Sequence, residues 1–150
     1  GIVHRDIKPD NLVVDGTGEA RLVDFDLSGP SGERFTQKVR LGTIAYIAPE
    51  QVRGHSPTFA SDLYSAGVML FWLVTGELPY MGEPVEVMQA HLDQPIPPLV
   101  ADPATKVELT LELEAFVQQL MAKDPAERYE NAGQALEAFH RLLKGQPNQV

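Results

Sequence analysis

His4-Arg5-Asp6-Ile7-Lys8-Pro9-Asp10-Asn11 is the stretch on which the fold turns. It sets a carboxylate, an ammonium and an amide in one short loop, and an aliphatic, β-branched run, Leu12 to Asp15, begins directly after it. A second such run, Ala20 to Val23, follows the turn residues Gly16-Thr17-Gly18, so the spacing predicts a small β-hairpin. Antiparallel strands bring their outer ends together, which places Asn11 beside Asp24. Two hard oxygen donors paired in this way suit Mg²⁺, a cation that keeps waters and draws its other ligands from phosphates. Asp6 can then accept or orient a hydroxyl proton while Lys8 neutralises charge on a transferring phosphoryl group. Taken alone, the same residue types also make an ordinary solvated turn.

Beyond the hairpin the periodicity becomes helical. Leu63 to Val74 is apolar on nearly every face until Gly76, which predicts a buried central helix with Phe71 and Trp72 in the core. Pro84 suits the first position of a short helix ending near Leu92, and the proline-rich stretch 95–103 reads as a surface loop. Thr110 can cap a helix whose apolar positions are Leu113, Phe116, Val117, Leu120 and Met121. Asn131 can cap a last helix with Ala132, Ala135, Leu136, Phe139, Leu142 and Leu143 on one face. Residues 146–150 read as a polar tail. His55, His91 and His140 have no metal-ligand spacing and read as surface residues.

The composition narrows the chemistry. The 150 residues carry 12 Lys+Arg against 21 Asp+Glu, a net charge of −9, with no cysteine. Disulfides and thiolate metal sites are excluded. An acidic chain lacks the basic patch that nucleic acid or an anionic membrane requires, and no apolar stretch approaches the roughly 20 residues that cross a bilayer. The charge is uneven: residues 1–60 hold 7 basic and 8 acidic residues, whereas 61–150 hold 5 and 13.

His4-Arg5-Asp6 with Asn11 resembles the catalytic loop of eukaryotic-type serine/threonine protein kinases of the bacterial kind, and Asp24-Phe25-Asp26 resembles their magnesium-binding triplet. Ala48-Pro49-Glu50 is similar to the end of their activation segment, and Asp62, Gly67 and Arg128 fall where the large lobe has such residues. The resemblance implies a mainly α, kinase-like C-terminal lobe over residues 1–145, with one small β-hairpin, an activation segment and about four to five helices. It implies ATP and Mg²⁺ as cofactors, protein Ser/Thr hydroxyls as acceptors and a cytoplasmic enzyme. Asp6 corresponds to the catalytic base, Lys8 to the γ-phosphate partner, Asn11 and Asp24 to the metal ligands, and Val13 to the floor under the adenine. Thr43, before Tyr46, corresponds to a residue touching Asp6 and Lys8. His4 would pack on Phe25, Glu50 and Arg128 would form a buried ion pair, and Asp62 would hold the catalytic-loop backbone. Arg5 implies control by activation-segment phosphorylation, for which Ser28, Ser31, Thr36 and Thr43 are candidates and Thr36 the favoured one.

The Gly-rich phosphate loop, its strand lysine and the helix glutamate that pairs with it are not in residues 1–150, so an N-terminal lobe of the same polypeptide is expected to complete the site. One position departs from the pattern: Asp26 stands where the triplet has glycine, a residue that takes positive φ freely. This motivates an alternative, a pseudokinase or docking lobe without phosphoryl transfer. A small-molecule phosphotransferase shares the Asp and Asn pair but gives no reason for Gly42-Thr43 or Ala48-Pro49-Glu50.

Overall fold

Two short antiparallel pairings frame the loop His4 to Asn11. The computed structural model describes residues 1–34, 41–105 and 107–145. In it β1 (Ile2–Val3) pairs with β4 (Gly29–Pro30), and β2 (Leu12–Val14) pairs with β3 (Ala20–Leu22) in the register Val13 opposite Arg21. The second pair is the expected hairpin. The first was not legible in the sequence, because a two-residue strand ending in proline has no periodicity to read.

The rest is helical, as expected: α1 (Pro49–Val52), α2 (Phe59–Thr75), α3 (Pro84–Asp93), α4 (Leu111–Leu120) and α5 (Ala132–Gly145), with 3₁₀ turns at Pro9–Asn11, Leu41–Tyr46 and Pro125–Glu127. The Thr110 hydroxyl accepts from the Leu113 N–H at 3.1 Å and the Asn131 side chain from the Gln134 N–H at 3.0 Å, so both expected caps are made. Gly76 ends α2 at φ 75°, a conformation that costs a side-chain-bearing residue more than glycine.

The core is the contact of α2 with α4. Tyr64, Val68, Phe71 and Val74 pack on Phe116, Val117, Leu120 and Met121, with Ala135 of α5 closing one side. The helices meet closely at Gly67, where a Cβ would stand 2.8 Å from atoms of both Leu120 and Met121. Gly67→Ala would therefore force α4 away from α2.

Several side chains lie elsewhere than the sequence suggests. Trp72 is only half-buried and Leu73 is exposed on the outer face of α2. Leu99, within the proline-rich surface loop, turns inward and joins the core. Leu136 and Leu143 are 53% and 54% exposed, so α5 buries a narrower stripe than its apolar pattern offers. His91 is the largest departure: it is 0% exposed, between α3 and α2.

Burial, aided by the Lys123 charge, pulls the His91 pKa from 6.5 down to about 4. Between those values the unfolded chain takes up a proton that the folded chain refuses. Stability should thus fall as pH drops from 6.5 to 4, by about 3 kcal/mol in all. His91→Gln has no such proton to bind. Urea midpoints measured across that window should fall less steeply for the variant than for the wild type, and parallel slopes would contradict the assignment.

Candidate active site

The loop between β1 and β2 is held from beneath by Asp62, near the start of α2. Its carboxylate accepts the backbone N–H of His4 at 2.7 Å and of Arg5 at 2.9 Å. Aiming two successive N–H groups at one carboxylate bends the chain sharply, and Arg5 takes φ 71°. Such a conformation costs on the order of 1–3 kcal/mol, which the paired charge-assisted bonds offset. Burial pushes the Asp62 carboxyl above its ordinary value, and the two N–H donors only partly counter this. His4 lies beside the loop. Its Nε2–H meets the Val23 carbonyl at 3.0 Å and its ring meets Phe25 edge-on at 4.7 Å, the expected packing role.

Asp6 is the centre of the constellation and is 2% exposed. The Lys8 ammonium donates to its Oδ2 at 2.8 Å, the Asn11 amide to the same oxygen at 3.0 Å, and the Thr43 hydroxyl to Oδ1 at 2.7 Å. Lys8 also reaches Thr43 at 3.4 Å. Burial alone would raise the Asp6 pKa, but these donors outweigh it and hold the carboxyl below the ordinary range. Asp6 is thus ionised at neutral pH, and Oδ1 retains a lone pair for a further hydroxyl.

Asn11 points both amide hydrogens at Asp6, one to the main-chain carbonyl at 2.8 Å and one to the carboxylate, which leaves its Oδ1 without a donor among the described residues. The Val23 N–H bonds the Asn11 carbonyl at 2.9 Å, so Asp24 leaves the hairpin next to Asn11. Asp24 is exposed at φ 60°, and no hydrogen bond reaches its carboxylate among the described residues. One amide oxygen and one carboxylate, both uncommitted and adjacent, are a donor set that fits Mg²⁺. Val13, beside them on β2, is 51% exposed, as is the larger part of Phe25.

Asp26 does not occupy the conformation for which glycine would be needed. The Ser28 N–H bonds the Phe25 carbonyl at 3.0 Å, which makes Asp26 the second residue of a turn, outside the positive-φ region. The left-handed residue is Asp24 instead.

Arg5 runs beneath the start of the segment after the triplet. Its guanidinium donates to the Pro30 carbonyl at 2.8 Å and lies 3.5 Å from the Glu33 carboxylate. A Cβ at position 29 would meet that guanidinium within 3 Å, which is why glycine stands there. Ser28 spends its hydroxyl on the Phe25 carbonyl at 2.7 Å, and Ser31 is exposed. Thr36 lies outside the described residues.

At the far end of the segment Glu50 and Arg128 meet as expected, bidentate at 2.8 and 2.9 Å and 6% and 5% exposed. Ser61 donates to Glu50 at 2.8 Å, and Arg128 also bonds the Ala60 and Ala122 carbonyls.

The sequence reading missed Ser65 and His91. Ser65 donates to the Tyr46 carbonyl at 2.7 Å, and His91 bonds the Ala45 carbonyl at 3.1 Å, so both support the turn that carries Thr43. The spacing Val87, Ala90, His91 along one face of α3 was the available signal.

A carboxylate held by Lys, Asn and Thr, with two free oxygen donors beside it on a helical lobe, is the arrangement of a protein kinase. The chain belongs to the protein kinase domain family, whose family model matches residues 1–140. Among its relatives, a probable serine/threonine-protein kinase of Streptomyces coelicolor, SCO3848, is 39% identical over 98% of this chain and 22% of its own length. The serine/threonine-protein kinase PknB of Mycobacterium tuberculosis is 37% identical over 98% of the chain and 24% of its own. A probable serine/threonine-protein kinase of Corynebacterium efficiens, CE0033, is 38% identical over 89% and 21%. The chain therefore spans about a quarter or less of the length of these curated relatives. No helix among the described residues is long and apolar enough to cross a membrane.

Proposed function

We propose that this chain is the catalytic C-terminal lobe of a serine/threonine protein kinase that moves the γ-phosphoryl group of Mg-ATP to protein hydroxyls. The observation carrying this reading is the shared carboxylate of Asp6, which binds Lys8, Asn11 and Thr43 at once and keeps an acceptor site on Oδ1. Asn11 and Asp24 would hold Mg²⁺, which when bound supplies charge neutralisation for the phosphates. Lys8 would contact the phosphoryl oxygens, and Val13 would lie under the adenine. Thr43 beside Asp6 favours Ser and Thr acceptors, and the exposed apolar surface at Val13 and Phe25 suits coverage by an N-terminal lobe of the same polypeptide. Arg5, buried at the base of the activation segment, would pair with a phosphate placed on that segment, Thr36 being the proposed acceptor.

The test is γ-phosphate transfer by the complete protein, read by phosphoamino-acid analysis. Label is expected on Ser and Thr and not on Tyr, lost on magnesium chelation and lost in Asp24→Ala. Incorporation no higher than in Asp24→Ala would overturn the reading and favour the docking lobe, for which Asp26 adds an extra carboxylate beside the phosphate position.

A further inference from the structure

His91 is buried completely, yet both ring nitrogens are engaged. Nε2 lies 3.1 Å from the Ala45 carbonyl, which can only accept, so Nε2 carries the hydrogen. Nδ1 must then accept, and the Tyr64 hydroxyl donates to it at 2.8 Å. Every partner is defined by the chemistry of its neighbour, with no solvent to exchange with. Burial keeps His91 neutral at physiological pH and pushes Tyr64 upward, which preserves this tautomer.

The elements joined are the important part. Tyr64 belongs to the central helix α2, His91 to α3, and Ala45 to the 3₁₀ turn Leu41–Tyr46. Two residues before Ala45 in the same turn, the Thr43 hydroxyl bonds the Asp6 carboxylate at 2.7 Å. Between them Ile44 packs on Val87 and Ala90 of α3 and on Tyr80, just before that helix. The turn thus presents Thr43 to the catalytic carboxylate and rests Ile44 and Ala45 on α3. Lys123 steadies that support by donating to the Ala90 and His91 carbonyls at 3.1 and 2.9 Å and to the Tyr80 hydroxyl at 2.9 Å. The buried imidazole therefore joins the Ser65 bond to the Tyr46 carbonyl in connecting the helical core to the backbone that sets the height of Thr43 over Asp6.

We propose that His91, oriented by Tyr64, is a positioning residue for the phosphate acceptor, holding the Thr43 turn against Asp6 through the Ala45 carbonyl without touching the nucleotide site. The inference rests on the kinase reading above. Its consequence is selective: losing the Nε2–H bond leaves Asn11, Asp24 and Lys8 in place and lets the acceptor turn drift. A drift of a fraction of an ångström matters because phosphoryl transfer is dominated by positioning.

The experiment measures steady-state kinetics of the complete protein with myelin basic protein as acceptor, varying acceptor and Mg-ATP separately. His91→Leu is expected to lower kcat/KM for the acceptor by about tenfold, the scale of one lost buried hydrogen bond. The KM for Mg-ATP should stay near the wild-type value. His91→Gln, whose amide N–H reaches the same carbonyl, is expected to recover most of the loss, and Tyr64→Phe, which keeps the ring packing, to show an intermediate defect. Should His91→Leu fail to fold, Tyr64→Phe still decides. Unchanged acceptor kinetics in Tyr64→Phe, equal shifts in both KM values, or no recovery with Gln would overturn the inference. Absence of transfer by the wild type would instead overturn the kinase reading on which it stands.

Discussion

Arg128→Ala is expected to lower the stability of the domain by about 3–5 kcal/mol, because it strands the Glu50 carboxylate in the interior with its main partner gone. The loss extends beyond one ion pair. The guanidinium also bonds the Ala60, Ala122 and Lys123 carbonyls and lies 4.8 Å over the Tyr64 ring, so α2 and the segment after α4 are both untied from α1. Burial tends to raise the Glu50 pKa, and in the intact pair Arg128 outweighs it and holds the group below its ordinary value. Without Arg128 the balance reverses and the folded state favours protonated Glu50. The deficit should therefore be largest at neutral pH and shrink as pH falls and Glu50 takes up a proton. Urea unfolding of wild type and variant at pH 7 and at pH 5 measures both features. A deficit under about 1 kcal/mol, or one indifferent to pH, would show that the pair is not the buried tie described here. Replacing both partners by apolar residues of similar volume, as in Glu50→Leu with Arg128→Met, should recover part of the loss, because no charge is then left unpaired.

This pair also marks how far the sequence alone could be read. The candidate site was legible because its residues are local: Asp6, Lys8 and Asn11 lie within six positions, and the hairpin brings Asp24 to them by simple strand pairing. Glu50 and Arg128 are 78 positions apart, and no periodicity links them. Only the resemblance to a kinase lobe paired them in advance. The pairing of β1 with β4 escaped notice because two-residue strands carry no periodicity, and the Arg5 bond to the Pro30 carbonyl that accompanies it spans 25 positions. His91 escaped for a different reason. A lone histidine on a short helix is ordinarily exposed, and what buries this one is a carbonyl 46 positions away together with a tyrosine hydroxyl from another helix. Asp26, where the resembled triplet has glycine, takes no positive φ in the turn from Phe25 to Ser28; the left-handed residue is Asp24, a backbone detail the sequence alone does not show. Apolar patterning was the least discriminating signal: Leu136 and Leu143 satisfy the periodicity of α5 and remain more than half exposed.

Asp6→Asn is expected to reduce kcat for phosphoryl transfer by about 10²–10⁴-fold in the complete protein while leaving the KM for Mg-ATP nearly unchanged. The substitution preserves shape, and an amide oxygen can still accept from Thr43 or Lys8, so the fold should survive. What disappears is the negative charge that, in the proposed role, would draw the acceptor hydroxyl into line and receive its proton. The magnitude follows from the character of this base. Hydrogen bonds from Lys8, Thr43 and Asn11 hold its pKa below the ordinary carboxylate value, which makes Asp6 a weak proton acceptor at neutral pH. A weak base is adequate here because a loose, metaphosphate-like transition state does not need the hydroxyl deprotonated early. In the proposed role Asp6 would orient first and take the proton late, and kcat should be flat from about pH 5 to pH 8, since a carboxyl held below its ordinary value does not titrate in that range. A wild-type profile rising through pH 6 with a single ionisation would point to a different base. An Asp6→Asn enzyme retaining more than a tenth of wild-type activity would remove Asp6 from that role and leave positioning by Lys8 and the metal ligands to account for the rate.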